Sequence, residues 1–274
     1  MLVSTRCHFP GFSITWLSGM NEAKTSPTTL FPKLTPEIIK ELGIENGVEG
    51  SVSAFLLEAE GKKALFDTGL NEKITTGIPD RLKELKISHD EIDYIFITHF
   101  HFDHIGGLID ANDKIYYKNA KIYFSKDEYD GWINKTPKDQ NQAQVKIMKI
   151  CEKQIVQFDF NDKLPLDVKP IKAFGHTPGH TVYQKGDLLI IGDLIHGESI
   201  QFKYPDICAT YDQNEKESIE TRKNIIKYAK DNNLFVAGMH LQYSNSSFHQ
   251  EFYKKKKNNF KRYLCNGYFL FKII

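Results

Sequence analysis

His99-Phe100-His101-Phe102-Asp103-His104 brings three imidazoles and a carboxylate together within six residues. Imidazole nitrogen and carboxylate oxygen are ligands for zinc, iron or manganese, and a set without thiolate is not the closed structural kind built from cysteines. His99 and His101 stand two apart on a chain leaving an extended run, so their rings can aim at one point, while Asp103 and His104 face another direction. Two ligand pairs within one turn point to two metals.

Further candidates lie downstream. Gly175-His176-Thr177-Pro178-Gly179-His180 sets turn formers around two imidazoles, a way to present a ring from a rigid loop, and one of the two histidines is expected to be a ligand. Asp193 follows the apolar Leu189-Ile190-Ile191-Gly192. A carboxylate ending so apolar a strand needs a cation or several donors to offset its desolvation, and a bridging position between two metals meets that need. Asp67, just before Thr68-Gly69, is assigned to support: accepting a hydrogen bond from a ligand histidine and fixing its tautomer. His8, His89 and His249 carry no motif and are read as surface or core residues.

The elements that must position these groups are apolar runs that each end in a candidate. Residues 92–98 end at His99, 168–174 lead to His176 and His180, 188–192 end at Asp193, and 234–239 end at His240. In α/β folds functional residues gather where strands give way to loops at one sheet edge, which would collect all of them. Residues 12–17, 51–57, 63–66, 121–124 and 268–273 also read as strands. Helices are expected at 35–43, with Thr35 as cap, Pro36 at the first position and Gly43 as stop, and at 81–85, 125–133, 142–153 and 215–230. In the third of these, Ser125 and Glu128 have capping-box spacing. No linker and no repeat divides the chain, so the expectation is one α/β (α+β) domain over residues 1–274, two layers of sheet with helices outside.

Composition narrows the partners. With 41% hydrophobic and 12% aromatic residues among 274, a substantial core is available. Lys+Arg 36 against Asp+Glu 35 leaves +1, so no overall field recruits nucleic acid or an anionic membrane. Cys7, Cys151, Cys208 and Cys265 form no Cys-x-x-Cys pair and are read as buried thiols in a reducing compartment. Residues 1–11 lack an apolar run of signal-peptide length, and nowhere do about 18 consecutive apolar residues occur. The expected setting is the cytoplasm, the expected partner a small-molecule substrate, with a homodimer as a compatible assembly. The run Lys254 to Lys257 is read as solvated surface.

In this order, His99-x-His101-x-Asp103-His104, the turn ending at His180, Gly192-Asp193, His240 and the early Asp67-Thr68-Gly69 resemble the metallo-β-lactamase superfamily over most of the chain. The resemblance implies an αββα sandwich with a dinuclear site. His99, His101 and His180 would hold one metal and Asp103, His104 and His240 the other, with Asp193 bridging and His176 in support. Within the superfamily, the stretches Asn119-Ala120-Lys121-Ile122-Tyr123-Phe124 and Glu128-Tyr129 with Trp132 are similar to the branch of methyl parathion hydrolase and the N-acyl homoserine lactonases. Gly192-Asp193-Leu194-Ile195-His196, and Tyr211-Asp212 leading to Arg222, point the same way. Lactonases of the superfamily often have Tyr where His196 stands, and their Pro-rich segment after the last ligand is replaced by Gln242-Tyr243-Ser244-Asn245.

The implied activity is hydrolysis of an ester, lactone or phosphotriester by hydroxide bridging two divalent metals, zinc first and iron or manganese next. Asp103 and Asp193 would be catalytic through the metals, and His196 would donate to the leaving group or orient a neighbour. A thioesterase of the glyoxalase II kind uses the same ligands. An iron-dependent enzyme of oxygen or sulfur chemistry is the alternative from another class.

Overall fold

Residues 54–57 are apolar at every position, the mark of a strand covered on both faces. The computed structural model of the protein describes residues 4–20, 24–241, 260–265 and 268–273, and in it Phe55 and Leu57 enter one core while Ala54 and Leu56 enter another. That period of two is the pleat of a strand, and it decides the layering of the molecule.

The strands, in chain order, are β1 (Ser4–Phe9), β2 (Phe12–Ser18), β3 (Lys24–Ser26), β4 (Val48–Gly50), β5 (Ser53–Ala59), β6 (Lys62–Phe66), β7 (Tyr94–Phe96), β8 (Lys121–Ser125) and β9 (Ile155–Phe158). They continue with β10 (Lys169–Lys172), β11 (Thr181–Lys185), β12 (Leu188–Ile190), β13 (Phe235–Ala237), β14 (Phe260–Cys265) and β15 (Tyr268–Ile273). The helices are α1 (Pro36–Leu42), α2 (Gly77–Glu84), α3 (Phe102–Ile105), α4 (Lys126–Tyr129), α5 (Gln142–Ile150), α6 (Glu198–Gln201) and α7 (Glu215–Asp231). One sheet has the order β1-β2-β5-β6-β7-β8-β9, the second the order β10-β11-β12-β13-β15-β14, and β3 pairs with β4 apart from both.

Between the two sheets lie Trp16, Phe55, Leu57, Phe66, Phe96 and Phe158 from the first and Tyr183, Leu188, Ile190 and Ala237 from the second. On the outer face of the first sheet, Leu56, Leu65, Ile95 and Ile122 share a core with Ile78 and Leu82 of α2 and Ile147 and Met148 of α5. On the outer face of the second, Leu189 and Val236 pack with Ile225 and Ala229 of α7. The fold is the αββα sandwich.

Local signals act as their chemistry dictates. Thr35 Oγ1 accepts from Ile38 N at the start of α1, Pro36 opens the helix, and Gly43 closes it at φ 68°. Helix α2 begins four residues before the expected start at Arg81, because Ile78 and Leu82, four apart, both reach the core. The helix expected over residues 125–133 is α4 followed by a wider turn, Asp130–Lys135, and the one expected over 142–153 stops at Ile150 before a short 3-10 turn. Cys7, Cys151 and Cys208 are buried. Among the described residues, no helix is long and apolar enough to cross a membrane. The run Lys254 to Lys257, the stretch Gln242-Tyr243-Ser244-Asn245 and His249 lie outside the described residues.

Pairs of parallel neighbours build the functional edge. β6 runs parallel to β7, and β12 to β13. Asp67 follows β6, His99 follows β7, Asp193 follows β12 and His240 follows β13, so parallel pairing delivers their side chains to one edge of the sandwich.

Candidate metal centre

Two groups of donors converge there. His99, His101, His176 and Asp193 form one, and Asp103, His104 and His240 form the other. In the first, His99 Nε2 lies 2.9 Å from His101 Nδ1 and 3.1 Å from His176 Nε2, and His176 Nε2 lies 2.9 Å from His101 Nδ1. Asp193 Oδ2 stands 3.4 Å from His176 Nε2 and 3.6 Å from His99 Nε2. A zinc ion about 2.0–2.1 Å from four tetrahedral donors requires them about 3.3–3.4 Å apart, and this set brackets that spacing.

In the second group, Asp193 Oδ1 faces His104 Nε2 at 3.1 Å and Asp193 Oδ2 faces His240 Nε2 at 3.0 Å. Asp103 lies 3.7 Å from His104 Nε2 through Oδ1 and 3.4 Å from His240 Nε2 through Oδ2. Asp193 therefore touches both groups, one carboxylate between two sets of imidazoles.

The hydrogen bonds behind the rings decide which nitrogen is available. His104 Nδ1 donates to Asp67 Oδ2 at 2.6 Å, His240 Nδ1 to the Ser51 carbonyl at 2.6 Å, and His176 Nδ1 to Asp212 Oδ1 at 2.9 Å. Thr98 gives its hydroxyl proton to Asp67 Oδ2 at 2.7 Å, so its oxygen accepts from His99 Nδ1 at 3.0 Å. In all four rings the outer nitrogen is bonded and Nε2 points inward, the arrangement that suits a metal ligand. Three ring nitrogens that converge within 3.1 Å form a pocket suited to a cation. His104 Nε2 and Asp193 Oδ1 are also buried without a hydrogen-bond partner, orphaned polar atoms of the kind a bound cation satisfies. The residues fit two divalent ions.

Electrostatics follow from the burial. Desolvation alone would push the Asp193 carboxyl up, but the imidazoles of His104, His240 and His99 outweigh it and hold it well below the ordinary range. Burial, then the charge of His104, pushes His99 well below its usual value, which keeps its lone pair free.

His180 takes a different place from the one expected. Its Nδ1 donates to the Ala173 carbonyl at 3.0 Å and its Nε2 accepts from Asp193 N at 3.0 Å, so both nitrogens are spent on backbone. Burial and the neighbouring His176 lower it to about 3, a neutral ring that holds the Asp193 loop against the sheet. His176, not His180, stands in the donor group with His99, His101 and Asp193, and His180 has the supporting place expected of His176. The physical reason is what each ring meets: His180, next to β11, has the Ala173 carbonyl and the Asp193 amide within reach, whereas His176 follows Gly175 at φ 120° and has its outer nitrogen held by Asp212. His99, His101, Asp103, His104, Asp193 and His240 are brought together as the sequence suggests.

His196 stands beside the centre, its side chain 7% exposed and its Nε2 3.3 Å from Asp193 Oδ2 without hydrogen-bond alignment. Burial lowers it below its usual range, so it offers one N–H and one lone pair as a neutral ring. Gln201 Oε1 accepts from His196 N at 2.7 Å and fixes its backbone. His176, His196 and Asp212 also come close together, but the Asp212 oxygens are already taken by His176 Nδ1 and by Arg222 Nη2 at 2.8 Å. That third group is a support for His176.

Four supporting residues had weak signals in the sequence. Asp212 and Arg222 occur as a family-like pair with no visible partner, Ser51 opens an apolar strand, and Glu128 reads as a helix cap. Asp67 has the role expected of it, and it also accepts from Thr98 N at 2.7 Å. An Asp67→Asn protein is expected to bind metal about 10- to 100-fold more weakly. Titration against a chromophoric chelator reads this, and unchanged affinity would contradict the role.

His101, Asp103, Asp193 and His240 of these groups line a cavity of about 290 Å³, walled also by Lys24, Phe31, Val48, Phe102, His196 and Tyr211. A sequence model of the metallo-beta-lactamase superfamily matches residues 47–235. A beta-lactamase-like protein 2 homolog of Caenorhabditis elegans is 30% identical over 179 residues, 61% of this chain and 52% of that protein. Ribonuclease Z of Nanoarchaeum equitans is 29% identical over 176 residues, 63% of this chain and 43% of its own length. The chain thus spans about half the length, or less, of these curated relatives. Among solved structures, AidC, a dizinc quorum-quenching lactonase in complex with a product, superimposes with a TM-score of 0.79 at 26% identity, covering 88% of this chain and 91% of that one. The hydrolase AbOPH of the beta lactamase superfamily superimposes with a TM-score of 0.77 at 26% identity, covering 89% and 91%.

Proposed function

The chain belongs to the metallo-beta-lactamase superfamily, and from that premise we propose that it is a dinuclear metal-dependent hydrolase of a small ester, lactone or phosphotriester. The observation that carries this reading is the convergence of two donor sets on the shared carboxylate of Asp193 at the floor of a cavity. His99, His101 and His176 would hold one ion and Asp103, His104 and His240 the other, with Asp193 between them. Two divalent cations bound there, most simply zinc, supply Lewis acidity and hydroxide near neutral pH.

The remaining chemistry belongs to the chain. His196, neutral and buried at the cavity wall, donates a hydrogen bond to the oxygen on which charge develops or to the departing oxygen. Phe31, Val48 and Phe102 give the wall an apolar side that orients the substrate and excludes bulk water. The likeness to AidC, a lactonase, supports a lactone as substrate, and the likeness to AbOPH supports hydrolysis.

Stripped of metal with a chelator, the protein is expected to lose hydrolysis of a panel of lactones, aryl esters and phosphotriesters, and to regain it on addition of zinc, manganese or iron(II). Fewer than one metal per chain in the purified protein, or undiminished turnover by the stripped one, would sink the reading. Cleavage confined to S-acyl glutathione would replace it with a thioesterase.

A further inference from the structure

Glu128 is a carboxylate 1% exposed, on a helix that takes no part in the mechanism above. Half of the expected capping box is present: Ser125 Oγ accepts from Glu128 N at 3.1 Å. The Glu128 side chain leaves the helix instead of returning to the cap. Its Oε1 accepts at 2.7 Å from Phe100 N, the amide between His99 and His101. Its Oε2 accepts at 2.8 Å from Thr177 Oγ1 and at 2.8 Å from Gly179 N, both on the turn that carries His176. Ser125 Oγ also donates to the Gly179 carbonyl at 2.8 Å, so that residue is held at both polar groups. A Cβ at position 179 would fall 2.0 Å from Glu128 N, which means the two backbones touch and only glycine fits.

These bonds link two different sheets. The segment 99–101 follows β7 of the first sheet, while the turn 176–179 connects β10 and β11 of the second. Metal sites tolerate ligand distances within about 0.2 Å, so a small slip between the sheets would open the His99, His101 and His176 set. The second set has other anchors, Asp67 behind His104 and Ser51 behind His240.

We propose that Glu128 is a positioning residue that holds the segment 99–101 and the His176 turn in register, and so sets the metal affinity of the His99, His101 and His176 centre while leaving the other centre unchanged. The inference rests on the dinuclear reading above. Burial pushes the Glu128 carboxyl up to about 7, against the pull of its donors Thr177, Phe100 and Gly179, so the contacts are made by a group that is costly to keep there.

The test is cobalt(II) titration of the full metal-free chain, followed by isothermal calorimetry and by the visible absorption of the bound ion. Wild type is expected to take up two ions. Glu128→Gln, which turns one acceptor into a donor facing other donors, is expected to weaken one of them about 10- to 100-fold and leave the other unchanged. In a His240→Ala background, which leaves the first centre as the tight one, adding Glu128→Gln is expected to weaken the remaining tight binding by the same factor, about 10- to 100-fold. If Glu128→Gln does not fold, Thr177→Val and Thr177→Ser decide: the serine keeps the hydroxyl and wild-type binding, whereas the valine weakens one ion. A wild type that binds two ions and a set of variants that bind both equally well, or lose both in parallel, overturns the inference alone. A wild type that binds none overturns it together with the dinuclear reading.

Discussion

Asp193→Ala is expected to lower hydrolysis by on the order of 10³-fold or more and to reduce bound metal from two ions per chain to at most one. Asp193 is 2% exposed, and its two oxygens reach both donor groups. Its removal takes one donor from each group and also the carboxylate that, among the described residues, faces His99, His176 and His240 together. Buried imidazoles then meet a divalent charge with less compensation, and binding weakens. Asp193→Asn keeps the volume and removes the charge, so it separates the two causes: a loss nearly as large as that of alanine assigns the effect to charge. Elemental analysis after dialysis, with kcat and KM on the best substrate of the panel, reads both. Full activity with both metals retained in Asp193→Ala would refute the bridging role.

The second large effect is a contrast between neighbours in one turn. His176→Ala is expected to lose tight binding of one ion and to reduce kcat by about 10²- to 10³-fold, because it removes a ring whose Nε2 sits among three other donors. His180→Ala is expected to keep both ions. Its cost falls on stability instead, about 2–4 kcal/mol, since the Asp193 amide and the Ala173 carbonyl lose their partners in the interior and a cavity remains. Metal content and denaturant unfolding of the two metal-loaded proteins distinguish them. If His180→Ala loses an ion and His176→Ala retains two, the assignment of the turn is reversed.

The turn also shows how far the sequence could be read. That one of His176 and His180 is a ligand follows from residue type and the turn formers around them. Which one it is depends on where Asp212 and the Ala173 carbonyl lie, and these are 36 and 7 residues away along the chain. Spacing carries no information about such partners. Glu128 is a similar case: three residues after Ser125 it has the signature of a cap, and the cap is made by its amide, but its carboxylate is taken by two loops from other strands. The local motif states what the backbone needs and is silent on where a long side chain goes.

The strand ends were legible for a general reason. Apolar runs ending in His99, Asp193 and His240 are continuous because both faces of their strands are covered, and a carboxylate or imidazole at the end of such a run is visible against it. The helix limits were less so. Helix α2 starts earlier than expected because Ile78 docks, and residues 130–135 widen their turn, both effects of packing that propensity does not encode.

By itself the sequence determined the chemistry available: which donors exist, that they lie at the ends of strands, and that a sandwich of two sheets would bring them to one edge. This follows because ligand type and hydrophobic period are local properties of the chain. The tertiary structure alone decided which imidazole of the turn faces the donor cluster, which acceptor holds each outer nitrogen, and that Glu128 links the two sheets beside it. Each of those depends on groups far apart in sequence meeting within about 3 Å, a distance that hydrogen bonding rewards and spacing cannot express.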